Sequence, residues 1–390
     1  MAVGATGKSM IMTDGITVKP LKPTRSELLR YVRFGIDLYR GNGCFVPPLV
    51  IDELATLNPR RNPASEVCES QSFMAYRDGR AAGRITAIIN RDANSRFGER
   101  VVRFGFVDFT DDAAVVDALF EAVAEWGRER GMTSMVGPMG FTDMDHEGML
   151  VEGFDEQGTM ATIYNYPYYP VHMERMGFSK EVDWVEYRIK VPGEVPAKML
   201  RIADIVRKKY GLSSASVKSR SELKKKYGRE FFHLINEAYA GLYGFTPLTD
   251  RMIDYYVDNY LGMLRLDDLS IIIDSDGRLA AAGIAMPSLT AALQASGGRL
   301  LPAGWLKLLR AIRGKGVGVV DLMLVAVRKD LQGKGVNSLV FCDLIPRFIA
   351  HGYREAESNL ELEGNESVQR QWEYFERRQH RRRRAWRKEL

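Results

Sequence analysis

One α/β order runs twice along this chain, and it limits the fold more than any other feature. In the first half, apolar spacing predicts a strand over residues 16–21 and a helix from the Thr24 cap to about Arg40. A hairpin of 72–77 and 82–90 follows, turning at Asp78-Gly79, then a strand over 101–109. A helix from Asp111 to about Arg130 ends at Gly131, and strands over 135–141 and 184–191 close the half. Residues 1–14 read as a loose tail, and 42–63 and 142–161 as long loops.

The second half repeats the order. It has a strand over 214–219, helices over 222–242 and 250–261, and a hairpin of 269–273 and 278–287. A strand over 319–328 runs into a helix over 335–351 that Pro346 should kink. A strand over 355–363, a helix over 366–378 and a closing strand over 381–388 complete it. The repeat predicts an α/β fold with a mixed α+β sheet in two tandem domains, residues 1–195 and 196–390. The length agrees, because 390 residues exceed one ordinary core.

The bulk properties exclude several classes. Cys44, Cys68 and Cys342 show no CxxC spacing, so a structural zinc site is not expected, and sparse cysteines fit a reducing compartment. No apolar segment follows Lys8 as in a secretory leader, and no apolar run reaches the ~20 residues of a spanning helix. A cytoplasmic protein able to sit on the inner membrane face is expected. The net charge of +5 permits an anionic partner without selecting one. Residues 2–9 match a permissive P-loop, but a working P-loop follows a buried strand and none precedes it. The basic run 377–388 alternates as a solvated edge strand would, so no nucleic-acid partner is expected.

The segment that carries chemistry is Asp321-Leu-Met-Leu-Val-Ala-Val-Arg-Lys-Asp-Leu-Gln-Gly-Lys-Gly-Val-Asn337. An apolar strand enters a glycine-rich turn and then a helix. Such a turn gathers backbone N–H groups and the positive end of a helix dipole into one concavity, which suits a pyrophosphate. Strand, Gln/Arg-x-x-Gly-x-Gly/Ala, helix resembles the acyl-CoA signature of the GNAT acyltransferases. Here it stands as Gln332-x-x-Gly335-x-Asn337, with Asn where that family prefers a small residue.

The strand order of both halves is similar to the GNAT fold as well. The resemblance implies two GNAT-like acyl-CoA N-acyltransferase domains in tandem, with acyl-CoA as co-substrate and no permanently bound cofactor or metal. It implies that Gln332, Gly333, Lys334, Gly335, Val336 and Asn337 hold the pyrophosphate, and that Leu324, Val325, Ala326 and Val327 meet pantetheine. The first-half turn, Phe109-Thr110-Asp111-Asp112-Ala113, carries two aspartates and no glycine, so it should repel a pyrophosphate.

Candidate catalytic groups lie downstream. Alternation along 355–363 puts Glu357, Asn359, Glu361 and Glu363 on one face, an acidic row suited to a cationic amine. Glu361 and Glu363 are the candidate bases. GNAT proteins often carry a tyrosine in the following helix that protonates the thiolate. Counted from Asn365, that register holds Trp372, with Tyr374 two residues on as the candidate. His146, in the loop with Asp143, Asp145 and Glu147, is a further candidate base or an ordinary loop histidine.

The resemblance implies that the acceptor is an amine. An insertion over 288–316 holds Trp305, Leu308, Leu309 and Ile312 at helical spacing, with Lys307, Arg310, Arg313 and Lys315 around them. A cationic amphipathic helix over 305–315 suits an anionic membrane surface, or simply packs on its own domain. Cys44-Phe-Val-Pro-Pro48, Asn58-Pro-Arg-Arg-Asn-Pro63, Gly137-Pro-Met-Gly-Phe141 and Glu152-Gly-Phe154 resemble the YghO-like and bacterial ceramide synthase-like group. That resemblance implies long-chain acyl transfer to a sphingoid-base amine. Transfer to a small polar amine and a non-catalytic CoA-binding scaffold stay open.

Overall fold

The computed structural model describes residues 10–13 and 15–390, and the P-loop-like residues 2–9 lie outside the described residues. The first half holds β1 (Met10–Thr13), β2 (Ile16–Pro20), α1 (Arg25–Leu38), α2 (Val50–Thr56), β3 (Cys68–Arg77) and β4 (Arg80–Asn90). It continues with α3 (Arg91–Phe97), β5 (Val101–Phe109), α4 (Ala113–Arg128), β6 (Ser134–Gly137), β7 (Met149–Glu152), α5 (Tyr168–Arg175) and β8 (Ser179–Lys190).

The second half opens with α6 (Ala197–Tyr210), β9 (Ser213–Ser214) and α7 (Arg220–Glu222), which runs through a π turn into α8 (Gly228–Ala238). Next come α9 (Asp250–Asn259), β10 (Leu269–Ile273), β11 (Leu279–Pro287), α10 (Thr290–Ser296), α11 (Gly304–Ile312) and β12 (Val319–Val327). The half ends with α12 (Asn337–Ala350), β13 (Glu355–Ser358), β14 (Glu361–Leu362), α13 (Glu366–Gln369) and β15 (Arg377–Glu389).

Local signals fix much of this. Thr24 caps α1 by accepting from Glu27 N, and Asp112 caps α4 by accepting from Ala114 N and Val115 N. Other segments depart from expectation. Met10–Thr13, read as tail, pairs antiparallel with β2. α6 fills a stretch for which no element was expected. Its Met199, Ala203 and Val206 are buried at helical spacing, and Gly211 ends it in the left-handed conformation. The expected helix over 366–378 is only α13 and a 3-10 turn, Arg370–Tyr374.

All fifteen strands join one mixed sheet, in the order β1-β2-β3-β4-β5-β6-β15-β8-β13-β12-β11-β10-β9. This overturns the edge-strand reading of residues 381–388. β15 lies at the centre, antiparallel to both β6 and β8. The last strand of the chain thus completes the sheet of its first half, and β8 in turn meets β13 of the second. On one face α4 and the aromatic segment 164–178 cover the first half, and α6 and α12 cover the second. On the opposite face α8 and α9 pack against Cys68, Ile88 and Phe141 of the first half.

A central strand rich in arginine needs buried counter-charge. Arg381 and Arg383, each 1% exposed, both donate to Glu186 Oε2, at 3.0 and 2.8 Å. Arg381 also donates to Glu357 Oε1 at 2.6 Å. Burial alone would raise the Glu186 carboxyl, yet the two guanidiniums hold it below the usual carboxylate range. Glu186→Gln leaves two buried guanidiniums short of charge. It should cost about 3–5 kcal/mol of stability, read by urea unfolding at neutral pH. A loss below about 1 kcal/mol would mean that the trio does not hold the centre of the sheet.

Candidate active site

The strand before the glycine turn loses its neighbour halfway along. β12 runs parallel to β13 from Val319–Glu355 to Leu322–Ser358, and there the pairing stops. A register slip against β11 makes Met323 a bulge. Beyond it, the continuation of β13 turns away at Asn359 and reappears as β14, paired with β8 instead. A gap therefore opens between β12 and β14.

Antiparallel alternation decides which groups face that gap. Arg328 N donates to Ala280 O, so Ala326 and Leu324 also turn their backbone groups to β11. Val325 and Val327 turn theirs to the gap. The carbonyls of Met323, Val325 and Val327 accept from the side chains of Asn359, Tyr239 and Gln332. Of the four expected pantetheine residues, only Val325 and Val327 present free strand amides. Leu324 and Ala326 spend theirs on the sheet.

The turn that follows is an anion nest. Gly333 and Gly335 have φ of 70° and 79°, a region costly for most side chains. The N–H groups of Gly333, Gly335, Val336 and Asn337 find no hydrogen-bond acceptor among the described residues. They precede α12, whose dipole adds positive potential. A Cβ on Gly335 would come within 2.9 Å of Ile202 Cγ2 on α6, so that glycine also lets α6 pack against the turn. Gln332 is committed to structure: its amide donates to Ala238 O at 3.2 Å and to Val327 O at 3.0 Å. Asn337 finds room by bonding Gln371 at 3.3 Å. Lys334 Nζ stands 5.3 Å from the Tyr210 ring of α6.

The acidic row expected along 355–363 does not share one face. Glu357 sits opposite Arg188 and Glu361 opposite Val185, both on β8. Positions three apart on one strand face opposite sides, so Glu357 and Glu361 do too. The break at Asn359 reverses the parity that continuous alternation would keep.

Glu361 lies beneath α12. Its Oε1 accepts from Trp372 Nε1 at 2.6 Å, and its Oε2 is buried without a partner. Burial pushes its carboxyl up to about 7. Glu363 is instead mostly exposed and holds Lys180 and Arg382. The Lys180 and Arg382 hydrogen bonds depress its pKa, which is the wrong direction for a base. Tyr374 packs under Lys198 of α6, 5.1 Å from Nζ, while Trp372 takes the inward position. Neither Glu363 nor Tyr374 is placed as the sequence suggested.

The other face carries a group that sequence reasoning passed over. Asp321 of β12 pairs across to Glu357, two residues before the bulge. It is 4% exposed, and neither carboxyl oxygen is hydrogen-bonded among the described residues. The nearby Ser288 hydroxyl donates to Thr290. Burial, then the neighbouring Glu357, pushes Asp321 up to about 7. One acidic residue in an otherwise apolar strand was the available signal.

His146 shares this side with Asp321. It keeps solvent contact, yet burial holds its imidazole below the usual value against an opposing Met160 backbone contact. Its charged neighbours are Arg383 and Asp52, and burial raises nearby Asp143 to about 7 and Glu147 well above its usual range. His146 and Glu361 therefore lie on opposite sides of the sheet.

The first half lacks both features. The Tyr169 hydroxyl accepts from Phe109 N and the Tyr168 hydroxyl donates to Phe109 O, so the end of β5 is occupied. Met139 N closes onto Phe104 O at 2.9 Å. The Asp112 cap takes the amides at the start of α4.

A bulged strand, a gap beside it and bare amides at its end lie together at the end of β12, and known proteins share the fold that carries them. A tandem GNAT protein from the clavulanic acid biosynthesis pathway superposes with a TM-score of 0.54 at 13% identity, over 96% of this chain and 98% of that one. A GCN5-related N-acetyltransferase from Sphaerobacter thermophilus gives 0.51 at 12% identity, over 97% of each chain. No family model matches the chain. In sequence, the bacterial ceramide synthase of Caulobacter vibrioides (strain NA1000 / CB15N) is 30% identical over 321 residues, 81% of this chain and 82% of that one. Protein YghO of Escherichia coli (strain K12) is 28% identical over 340 residues, 86% and 85% of the two chains. The chain has the tandem GNAT fold. It belongs to the group that holds YghO and bacterial ceramide synthase. Among the described residues, no helix is long and apolar enough to cross a membrane.

The raised Glu361 pKa has a consequence for stability. The folded state keeps a proton that the unfolded chain releases above its ordinary value of 4.5, so stability is lost as pH rises from there to about 7. Glu361→Gln keeps an acceptor for Trp372 and removes that penalty. Thermal unfolding should show the variant equal to the parent near pH 4 and more stable at pH 8, by about 2–3 kcal/mol. Equal stability at both pH values would place the carboxyl in a wetter site.

Proposed function

We propose that this protein is an acyl-CoA-dependent N-acyltransferase that forms an amide on a primary amine, with a long-chain lipid amine such as a sphingoid base as acceptor. The observation that carries the reading is the set of four unpartnered amides at 333, 335, 336 and 337, next to the unpaired edge of β12. The ceramide synthase likeness supports a lipid amine. One working site, within residues 196–390, follows from the filled gap and capped helix of the first half.

In this reading the nest holds the pyrophosphate and the Val325 and Val327 edge holds the pantetheine. The turn leads into α12, so the cofactor enters from the α12 side and the amine from the side of Asp321 and His146. Strand amides at the gap polarise the thioester carbonyl. The amine nitrogen attacks that carbon, the C–N bond forms and the C–S bond breaks. Asp321 takes the amine proton, directly or through water, and Glu361 returns a proton to the departing sulfur. Both carboxyls sit near 7, which suits one as acceptor and the other as donor at neutral pH.

Two experiments test it. Calorimetric titration should show palmitoyl-CoA binding more tightly than acetyl-CoA, and Gly333→Asp should abolish both. Asp tolerates positive φ, and a Cβ at Gly333 meets nothing within 4 Å, so the fold should survive. Unchanged affinity would sink the site. Preference for acetyl-CoA would favour a small polar amine instead.

With a sphingoid base as acceptor, the rate should follow a bell centred near pH 7. Asp321→Asn should flatten its acid limb and Glu361→Gln its basic limb, each with a loss of about a hundredfold or more. Binding of acyl-CoA without amide formation on any amine would leave a scaffold.

A further inference from the structure

The insertion 288–316 folds as two helices, and they divide the work. α10 ties the insertion to the first half. Gln294 Nε2 donates to Gly43 O at 2.8 Å and Phe45 O at 2.9 Å, and Val50 N donates to Gly298 O at 3.0 Å. α11 rests on α10 through Gly304, Leu308 and Ala311. The expected stripe of Trp305, Leu308, Leu309 and Ile312 is therefore split: Leu308 turns inward, and Trp305 and Leu309 turn outward.

The outward arc is apolar. Leu301, Trp305, Leu306 and Leu309 are 76%, 47%, 52% and 37% exposed. Trp305, Leu306 and Leu309 span about 100° of the helix. Around them stand the exposed Arg299, Lys307, Arg310, Arg313 and Lys315. Residues 288–320 contain these five cations and no Asp or Glu. Among the described residues none of the five joins an ion pair, whereas Arg229 holds both Asp250 and Asp254 and Arg207 holds Asp204. A solvated helix face usually mixes its charges. A single-sign field around protruding Trp and Leu side chains does not serve that purpose.

We propose that α11 docks the protein on an anionic lipid bilayer. Trp305, Leu306 and Leu309 enter the headgroup boundary, and the five cations meet lipid phosphates. A bilayer supplies apolar depth and anionic charge together and adapts to any lateral spacing of the two. A protein partner would have to match both at fixed positions. The underside of the insertion reaches the site, since Met286 packs against the insertion and pairs directly with Asp321 of β12. Docking therefore brings the side of β12 that carries Asp321 toward the membrane. Vesicle binding needs neither acyl-CoA nor amine, so this inference and the acyl-transfer reading fail separately.

The test is co-sedimentation of the full chain with vesicles of phosphatidylcholine alone and of phosphatidylcholine and phosphatidylglycerol in equal parts. The parent should bind the mixed vesicles and leave the neutral ones. Arg310→Gln with Arg313→Gln should weaken binding about thirtyfold, from roughly 1 kcal/mol for each charge removed. Trp305→Ser should release the protein, and thermal unfolding should show both variants folded. Equal binding to the two vesicle types, undiminished binding by the variants, or no binding to either vesicle would overturn the proposal.

Discussion

Two guanidiniums on one central strand share a single carboxylate oxygen, and the architecture follows from keeping that arrangement dry. Arg381 and Arg383 come from the end of the chain, and Glu186 from the end of its first half. Neither half alone holds all three members of this trio. The pairing of β15 with β8 is therefore also the step that neutralises the centre of the sheet. The charges balance outward from there. Arg381 reaches Glu357, and Glu357 also holds Arg188 at 3.0 Å. Asp321, next in line, finds no cation left over, and burial beside Glu357 raises its pKa. The group best suited to take a proton is the one that this balance leaves out.

The same sheet carries two gaps of similar origin and closes only one. Each half sets a bulged strand beside a short parallel neighbour. In the first half, tyrosine hydroxyls bond the end of β5, a loop amide bonds Phe104, and an aspartate caps the helix. The protein's own groups thus take the end of β5 and the start of α4. In the second half, side chains satisfy the carbonyls of β12, but the gap-facing amides and the nest amides stay bare. Backbone donors left without acceptors carry a cost that a folded chain normally avoids. An oxygen-rich ligand that supplies acceptors recovers it, so the asymmetry between the halves is an argument for where the ligand sits.

Much of this was legible in the sequence where the signal was local. The glycine turn, the Thr24 and Asp112 caps and strand 101–109 depend on neighbours within a few residues, and the chain displays them directly. The arginine strand was misread because its partners stand about two hundred residues upstream. Alternating arginines look alike whether water or glutamate faces them. Glu357 and Glu361 were grouped by a parity that holds only while a strand is unbroken, and nothing in Ser-Asn-Leu announced the break. Asp321 was passed over, since its lack of a partner is a property of the fold. α6 did show helical spacing, a proline before it and a glycine after it, yet it has no counterpart in the first half's order and was left unassigned.

The break at Asn359 does more than shift a pattern. A straight strand would pair with β12 throughout and close the gap, and it would set Glu357 and Glu361 on the same face. Turning away opens the gap and splits the carboxyls between the two faces in one move. Asn359 holds that geometry with its own side chain, which donates to Met323 O at 3.1 Å and accepts from Leu360 N at 2.9 Å. Two carboxyls on one face would couple, and one would be driven down while the other rose. With the sheet between them, Asp321 and Glu361 are each raised mainly by their own burial, and both reach about 7. A proton acceptor on one side and a proton donor on the other is what attack by an ammonium-derived amine and departure of a thiolate require. The break at Asn359 thus sets Glu361 apart from the face that Glu357 and Asp321 share.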